Sequence, residues 1–173
     1  LEIVRSMEVA FACEIGTGRG GTLFMLMRAC TPNAVLISID THNPLGKRMA
    51  LGFGRRPGQK VYLIEEDSKS PRCIRRVKQL LGRNKLAFLF IDGDHSYSEV
   101  RRDFEVYSKL VRSGGLIALH DIIPDHFTSR GVMTNSKAVD VWRFWCEIKH
   151  EYVTSEIVQS EHQDGYGIGL VNV

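Results

Sequence analysis

A cluster of glycines directly after a short apolar segment is the feature that most restricts what this chain can fold into. Residues 9–15 are mainly apolar and lead into residues 16–21, which read GTGRGG. Glycine permits sharp turns and lets a ligand approach the main chain. Residues 22–30, which follow, are apolar nearly all round. The pattern predicts a buried strand, a tight turn and a buried helix.

Segments with the character of strands and helices alternate along the rest of the chain. Apolar segments that predict strands occupy residues 35–39, 61–64, 86–91 and 116–119. Patterns that predict helices occupy residues 71–81, the stretch from residue 96 to the glycines at 114 and 115, and residues 139–149. Residues 152–158 and 167–173 flank a Gln-Asp-Gly turn and predict a β-hairpin. This order predicts an α/β fold with a mostly parallel sheet, covered on both faces, and an antiparallel hairpin at one edge.

The helix predicted from Ser96 has sequence signals at both ends. Ser96 and Glu99 have the spacing of a capping box, in which each side chain satisfies a free N–H of the first turn. Asp94, just before them, is also expected to cap this helix. Apolar side chains then recur at helical spacing, at Val100, Phe104, Tyr107 and Val111. The two glycines that follow are expected to end the helix.

The length and composition are those of a globular domain. The chain has 173 residues, of which 43% are hydrophobic and 25% charged, and we expect residues 1–173 to form a single domain. No stretch approaches the roughly 20 apolar residues of a membrane span. The N-terminus lacks the features of a signal peptide, so a cytoplasmic location is expected. Because the chain does not begin with Met, we expect it to be part of a longer protein.

Cysteine spacing and charge argue against several other classes of protein. The four cysteines are far apart and include no C-x-x-C pair, which is not typical of a zinc site or a disulfide scaffold. The net charge of +3 is too small to indicate a nucleic-acid partner. Residues 72–85 are rich in Arg and Lys but lack interleaved aromatic side chains, which is typical of a solvated helix surface.

Acidic residues stand where four of the predicted strands end. They are Glu14, Asp40, Asp92 and Asp121. In open α/β sheets, ligands bind in the crevice at the carboxyl ends of the strands. Polar groups placed there, after apolar strands, indicate a binding crevice.

The glycine turn and Asp40 together indicate a ligand that contains a nucleoside. Gly16, Gly18 and Gly21 fit the pattern G-x-G-x-x-G, and Asp40 stands at the spacing of a ribose-binding carboxylate. NAD would place a pyrophosphate near Glu14, whose negative charge repels phosphate. An NAD-dependent oxidoreductase is therefore the less favoured of the two nucleotide-binding alternatives.

S-adenosylmethionine fits these charges better, because it carries an amino group and a sulfonium and has no phosphate. Asp40 suits its ribose diol. Asp67, with Ser68 beside it, suits the amino group of its adenine. Thr17 in the glycine turn and Thr41 after Asp40 adjoin these positions and are further candidates for cofactor contacts.

Five segments in order resemble the successive motifs of class I S-adenosylmethionine-dependent methyltransferases. They are EIGTGRGG, ISIDTHNP, EEDS, FLFIDGDHSY and GGLIALHD, and the resemblance covers roughly residues 8–173. The block from FIDGDHSY to GGLIALHD most resembles the small-molecule O-methyltransferase branch described as cephalosporin-hydroxylase-like, which shares features with catechol and caffeoyl-CoA O-methyltransferases.

The resemblance implies a Rossmann-like, doubly wound, seven-stranded sheet with an antiparallel C-terminal hairpin strand. Members of this family usually have additional N-terminal helices that cover the cofactor, and this chain has almost none. We expect such a lid to be either missing here or supplied by a second copy of the chain in a homo-oligomer.

The resemblance also implies a site for a divalent metal and a catalytic base. Asp92 matches the first metal ligand of metal-dependent relatives, and His120 and Asp121 match a carboxylate-amide or two-carboxylate pair. The imidazole is a departure that favours Mn²⁺, Fe²⁺ or Zn²⁺, because Mg²⁺ prefers oxygen ligands. His95 lies three residues after Asp92, where catechol-type relatives carry a lysine. We predict that His95 accepts the proton of the acceptor hydroxyl, with His120 as the alternative base.

These features predict methyl transfer from S-adenosylmethionine to a hydroxyl of a small molecule, such as a sugar or a secondary metabolite. Asp92 is expected to be essential to this reaction. A ligand-binding or scaffolding module that has the same fold but no turnover is an alternative from another class. An RNA methyltransferase is a weaker alternative, because no basic face with aromatic side chains is evident.

Overall fold

The computed structural model describes residues 1–42, 54–125, 139–160 and 162–173. The strands are β1 (Phe11–Ile15), β2 (Val35–Asp40), β3 (Lys60–Glu65), β4 (Leu86–Ile91), β5 (Val111–His120), β6 (Val153–Ile157) and β7 (Ile168–Asn172). The α-helices are α1 (Glu2–Ser6), α2 (Gly21–Ala29), α3 (Pro71–Leu81), α4 (Tyr97–Tyr107) and α5 (Val141–Ile148), and a 3₁₀ turn spans Ser108–Leu110. The sequence also predicts a polar loop over residues 122–137, and residues 126–137 of it lie outside the described residues.

The seven strands form one sheet in the order β3-β2-β1-β4-β5-β7-β6. Strands β1 to β5 pair in parallel, whereas β7 is antiparallel to both β5 and β6. This confirms the predicted Rossmann-like sheet and its C-terminal hairpin. The direction in which strands are added reverses between β1 and β4, and this switch point is where doubly wound folds bind ligands.

The core lies on both faces of the sheet because side chains alternate along each strand. Helix α2 packs on one face, where Leu23 and Met27 join Phe88 and Phe90 of β4 in one apolar cluster. Helices α3, α4 and α5 pack on the other face, in a second cluster with the alternate residues of the strands. The apolar stripe of α5 is buried as its spacing indicates, and Trp145 is among the largest fully buried side chains.

The helix predicted from Ser96 to the glycine pair is shorter than expected. Helix α4 ends at Tyr107, and Val111 begins β5. Val111 pairs with Leu86, and the register then shifts before Phe88 and the rest of β4. A β-carbon on Gly115 would lie 2.5 Å from the Val111 side chain, so glycine is needed inside this irregular strand. Val111 continues the helical spacing of α4 only by chance, because it is buried as part of the sheet.

Helix α2 is buried on one side only, in contrast to the prediction. Phe24 is 47% exposed and Met25 is 42% exposed, while Leu23 and Met27 are fully buried. A single sheet covers one side of a helix, so an apolar pattern all round does not by itself require burial all round.

The predicted helix starts are correct in position, although the capping contacts differ. At α3, the Ser70 hydroxyl accepts a hydrogen bond from the Cys73 N–H at 3.0 Å. At α4, the Ser96 side chain makes no capping bond, so the predicted capping box is wrong. Asp94 Oδ1 accepts from the Ser96 N–H at 2.9 Å, which forms a turn just before the helix and does not satisfy an N–H of its first turn. Glu99 Oε2 forms an ion pair with Lys69 Nζ, 2.7 Å away in the loop after β3.

Two further observations concern the cysteines and the lengths of the helices. Cys13, Cys30, Cys73 and Cys146 are all free thiols. Among the described helices, every one is too short or too polar to cross a membrane.

Candidate functional site

A crevice of about 870 Å³ lies at the carboxyl ends of β1 to β5. Among the described residues, its lining includes the glycine turn after β1, residues 40–41 at β2, residues 66–69 after β3, residues 92–95 after β4 and residues 120–121 at β5, together with Glu99, Asp103 and Tyr166. The polar residues predicted at the strand ends thus converge on one site, except for Glu14.

The glycine turn is held in place by contacts between main chains. The Gly16 N–H donates to the Ile39 carbonyl at 2.8 Å, and the Asp92 N–H donates to the Ile15 carbonyl at 2.8 Å. Gly16 has a φ of +90°, and a β-carbon there would lie 1.9 Å from the Asp92 carbonyl oxygen. Glycine at this position therefore allows the turn to contact β4 directly.

Asp40 joins the glycine turn to the end of β2. Its Oδ2 accepts a hydrogen bond from the Gly18 N–H, and its Oδ1 accepts one from the His42 N–H, both at 2.9 Å. These two bonds orient the Asp40 carboxylate at the mouth of the glycine turn. Asp40 and Thr41 both line the crevice as predicted.

Glu14 is fully buried and does not line the crevice. Its Oε2 accepts a hydrogen bond from the Ser38 hydroxyl at 2.6 Å, and Ser38 in turn lies 2.6 Å from the Thr17 hydroxyl. This chain of polar groups supports the glycine turn from below. Glu14 therefore fixes Thr17, which does line the crevice, rather than facing it.

Asp67 and Ser68 occupy different environments in the loop after β3. The Asp67 side chain is 55% exposed, and its Oδ1 accepts from the Lys69 N–H at 2.9 Å and pairs with Lys69 Nζ at 3.2 Å. The backbone hydrogen bond from Lys69 is the main cause that lowers the pKa of Asp67. Ser68 is buried, and its hydroxyl donates to Asp103 Oδ1 at 2.6 Å.

Asp103 is a crevice residue that the sequence reasoning missed. It is 1% exposed and lines the crevice from α4. Burial raises its pKa to about 6. Its position carried a signal, because Asp103 falls on the apolar stripe of α4, between Val100 and Phe104, where a carboxylate requires a reason.

We expect Asp103→Asn to stabilise the protein at pH 8 by up to about 3 kcal/mol, the free energy of a pKa shift of about two units. The folded-state pKa is raised to about 6, so ionisation costs stability above pH 6 and the cost disappears below pH 4. Denaturant unfolding of both proteins at pH 8 and pH 4 measures this. Glu105→Gln, on the exposed side of the same helix, is the matched control. An equal difference at both pH values contradicts the prediction.

Two histidines and two carboxylates meet where β4 and β5 end. His95 Nδ1 lies 2.5 Å from Asp121 Oδ2, and His95 Nε2 lies 3.9 Å from Asp92 Oδ1. His120 Nδ1 lies 3.0 Å from Asp121 Oδ1 and 3.3 Å from Asp92 Oδ1. Tyr166, from the loop before β7, packs edge-on against the His120 ring.

The carboxylates shift the titration of both imidazoles. The hydrogen bond to Asp121 is the main cause that raises the pKa of His95, and Asp121 and Asp92 raise the pKa of His120. The two histidines conversely lower the pKa of Asp121 against the effect of its burial. Asp121 also has a left-handed backbone, with a φ of +63°, and its N–H donates to the Gly167 carbonyl at 3.0 Å. Non-glycine residues held in this conformation are concentrated at functional sites.

The three residues predicted to bind a metal are therefore adjacent, and His95 lies among them. Ligand atoms of Asp92, His95 and Asp121 all lie within 4.8 Å of one another. Two carboxylates and an imidazole are a donor set that fits Mn²⁺, Fe²⁺ or Zn²⁺.

Comparison with known proteins agrees with this geometry. A family model described as a methyltransferase domain matches residues 13–122. The uncharacterized protein R132 of Acanthamoeba polyphaga mimivirus is 34% identical over 113 residues, which are 62% of this chain and 49% of that protein. The chain thus spans about half the length of this curated relative.

Several solved methyltransferase structures resemble the fold. The O-methyltransferase from Bacillus cereus, in complex with SAH, has a TM-score of 0.68 at 19% identity, over 99% of this chain and 78% of that one. TomG from Streptomyces achromogenes, in complex with SAM, has a TM-score of 0.67 at 18% identity, over 99% and 77%. MycE of the mycinamycin pathway, in complex with Mg, SAH and mycinamycin VI, has a TM-score of 0.62 at 17% identity, over 99% and 47%. At these identities the likeness shows the fold alone.

Proposed function

This chain belongs to the methyltransferase domain family, and we propose that it transfers a methyl group from S-adenosylmethionine to a hydroxyl of a small molecule. The main support is one juxtaposition: a glycine turn bonded to Asp40 shares its crevice with a hydrogen-bonded histidine and carboxylate, His95 and Asp121. The turn suits a nucleoside, and the pair suits removal of a proton from a hydroxyl.

The charge of the crevice favours S-adenosylmethionine over a dinucleotide. Among the described residues, eight carboxylate side chains line it, compared with two permanently cationic ones, Arg19 and Lys69. Lys69 is already engaged by Asp67 and Glu99. Such a lining repels a pyrophosphate and suits a ligand that has an amino group and a sulfonium. Glu14 is buried and does not face the crevice, so the acidic lining, and not Glu14 itself, disfavours NAD.

The proposed reaction is a direct displacement at the methyl carbon. A lone pair of the acceptor oxygen forms the new C–O bond while the C–S bond breaks and its electron pair remains on sulfur. The sulfonium thereby becomes the neutral thioether of S-adenosylhomocysteine. The hydroxyl proton passes to His95 Nε2, because Nδ1 is bonded to Asp121. The resulting imidazolium is stabilised by the two carboxylates on either side of it.

Asp92 and Asp121, with one imidazole, would hold a divalent metal ion if the protein uses one. A bound ion would lower the pKa of the acceptor hydroxyl and so supply activation that His95 otherwise provides alone. The close packing of His95 and His120 around both carboxylates means that one imidazole can serve as ligand while the other accepts the proton.

We expect S-adenosylmethionine to bind the chain in the micromolar range and NAD not to bind measurably. Titration calorimetry with each compound, with and without Mg²⁺ and Mn²⁺, tests this. If the acidic cluster holds a metal, Mn²⁺ strengthens cofactor binding in the wild type and not in Asp92→Asn, with Glu105→Gln as the exposed control. The proposal would be overturned if NAD bound tightly, or if neither compound bound.

The acceptor class requires a separate assay. Transfer of a labelled methyl group to a panel of a catechol, a simple phenol, a flavonoid and a hexose tests hydroxyl methylation. Cofactor binding with no transfer to any hydroxyl compound would favour the alternative of a ligand-binding module with the same fold.

A further inference from the structure

Asp103 lines the crevice from α4 and contacts the loop that follows β3. Its Oδ1 accepts the Ser68 hydroxyl of the loop after β3 at 2.6 Å. The Tyr107 hydroxyl, one turn further along α4, donates to the Ser68 carbonyl at 2.7 Å and holds the same loop. One carboxylate oxygen is thus committed to the protein and has a fixed orientation.

The other oxygen, Oδ2, receives no hydrogen bond from the described residues. It lies under Gly93, where an added β-carbon would be 3.7 Å from it. Lys69 is nearby, but it forms its ion pairs with Asp67 and Glu99 and not with Asp103. Asp103 is only 1% exposed, so water has little access to this carboxylate, and a hydrogen-bond donor to its second oxygen would be favourable. Because Asp103 lines the crevice, a bound ligand is the natural source of that donor.

The position of Asp103 indicates which part of the ligand reaches it. The reactive groups, His95 and Asp121, lie at β4 and β5, and the ribose-binding Asp40 lies at β2. Ser68 and Asp103 line the crevice on the β3 side and beneath Gly93. The proposed cofactor extends from its methyl group through the ribose to the base. With the methyl group near His95 and the ribose at Asp40, the base would lie beside Ser68 and Asp103.

We propose that Asp103 selects the nucleobase: its Oδ2 accepts a hydrogen bond from the exocyclic 6-amino group of a purine. This inference rests on the proposed function. It differs from the prediction that Asp67 takes this role, because the Asp67 side chain is half exposed and ion-paired with Lys69, whereas Asp103 is buried. Asp103 would distinguish a 6-amino purine, which offers a donor, from a 6-oxo purine, which presents a second acceptor.

Binding of S-adenosylhomocysteine and of its 6-oxo analogue, S-inosylhomocysteine, tests the assignment. We expect the wild type to prefer the 6-amino compound by about 10- to 100-fold, the effect of one hydrogen bond to a charged group. Asp103→Asn should reduce or invert this preference, because an amide that accepts from Ser68 turns its NH₂ group toward the 6-oxygen. Glu105→Gln on the outer face of α4 should preserve it. Thermal unfolding of each variant verifies that it is folded.

The outcomes separate the two proposals. If neither compound binds the wild type, the proposed function fails and this inference fails with it. If S-adenosylhomocysteine binds but the 6-oxo analogue binds equally well, the inference alone is overturned, and no variant is needed to show this. If the preference is lost in Asp67→Asn and kept in Asp103→Asn, Asp67 recognises the base and Asp103 does not.

Discussion

Replacing His95 by glutamine is expected to lower the rate of methyl transfer by about 100- to 10,000-fold, the usual contribution of a positioned general base. Glutamine is similar in reach and polar, but it cannot accept a proton at neutral pH. The affinity for S-adenosylmethionine should change little, because His95 lies at the reactive end of the crevice and the turn and Asp40 contacts are untouched. The measurement is single-turnover transfer of a labelled methyl group to whichever hydroxyl acceptor the wild type uses.

The hydrogen bond between His95 and Asp121 provides a second, sharper test. If Asp121 acts by orienting His95, the double variant His95→Gln/Asp121→Asn should be little worse than His95→Gln alone. His150→Gln, an exposed histidine after α5, is the matched control and should be fully active. Independent, multiplicative losses would instead show that Asp121 acts on the reaction separately from His95, as a metal ligand would.

Replacing Gly16 by alanine is expected to destabilise the fold by more than about 3 kcal/mol, since overpacking and unfavourable backbone act together. The added β-carbon would lie 1.9 Å from the Asp92 carbonyl oxygen and 2.9 Å from the Gly93 Cα. These are main-chain atoms, so no side-chain rotation can relieve the clash. The strand β4 would have to separate from the glycine turn, which would also open the crevice and abolish cofactor binding.

Gly18→Ala is the control for this substitution. Gly18 also has a left-handed backbone, with a φ of +49°, but an added β-carbon would meet no atom within 4 Å. Gly18→Ala should lower the free energy of unfolding only by the cost of a left-handed backbone at alanine, about 1–2 kcal/mol. Denaturant unfolding measures both variants. Similar losses for the two would mean that left-handed conformation, and not contact with β4, is what requires glycine at position 16.

The order of strands and helices was predictable because each depends mainly on local patterns. Apolar β-branched segments, helix-spaced stripes and glycine turns indicated all seven strands and the site at their carboxyl ends. Errors arose where two structures share one local pattern. Val111 continued the helical spacing of α4, yet it pairs with Leu86 in the sheet. Burial in a helix stripe and burial in a strand are indistinguishable at a single position.

The candidate site was predictable in its residues but less so in their roles. Asp40, Asp92, His95, His120 and Asp121 all reach the crevice, as their positions at strand ends indicate. Which carboxylate faces the ligand and which supports the turn depends on side-chain direction. Glu14 lies directly opposite Ser38 in the register of β1 and β2, so the two side chains share one face of the sheet and bond to each other, and no motif records that pairing.

The sequence by itself determined the class of fold, the position of the glycine turn and the identity of the acidic strand ends, because these follow from short-range periodicity and from the conformational freedom of glycine. The tertiary structure alone decided which distant groups meet. His95 bonds to Asp121, 26 residues away, and Ser68 bonds to Asp103, 35 residues away. Such pairs form only when the sheet brings neighbouring strand ends and the helices between them to one edge.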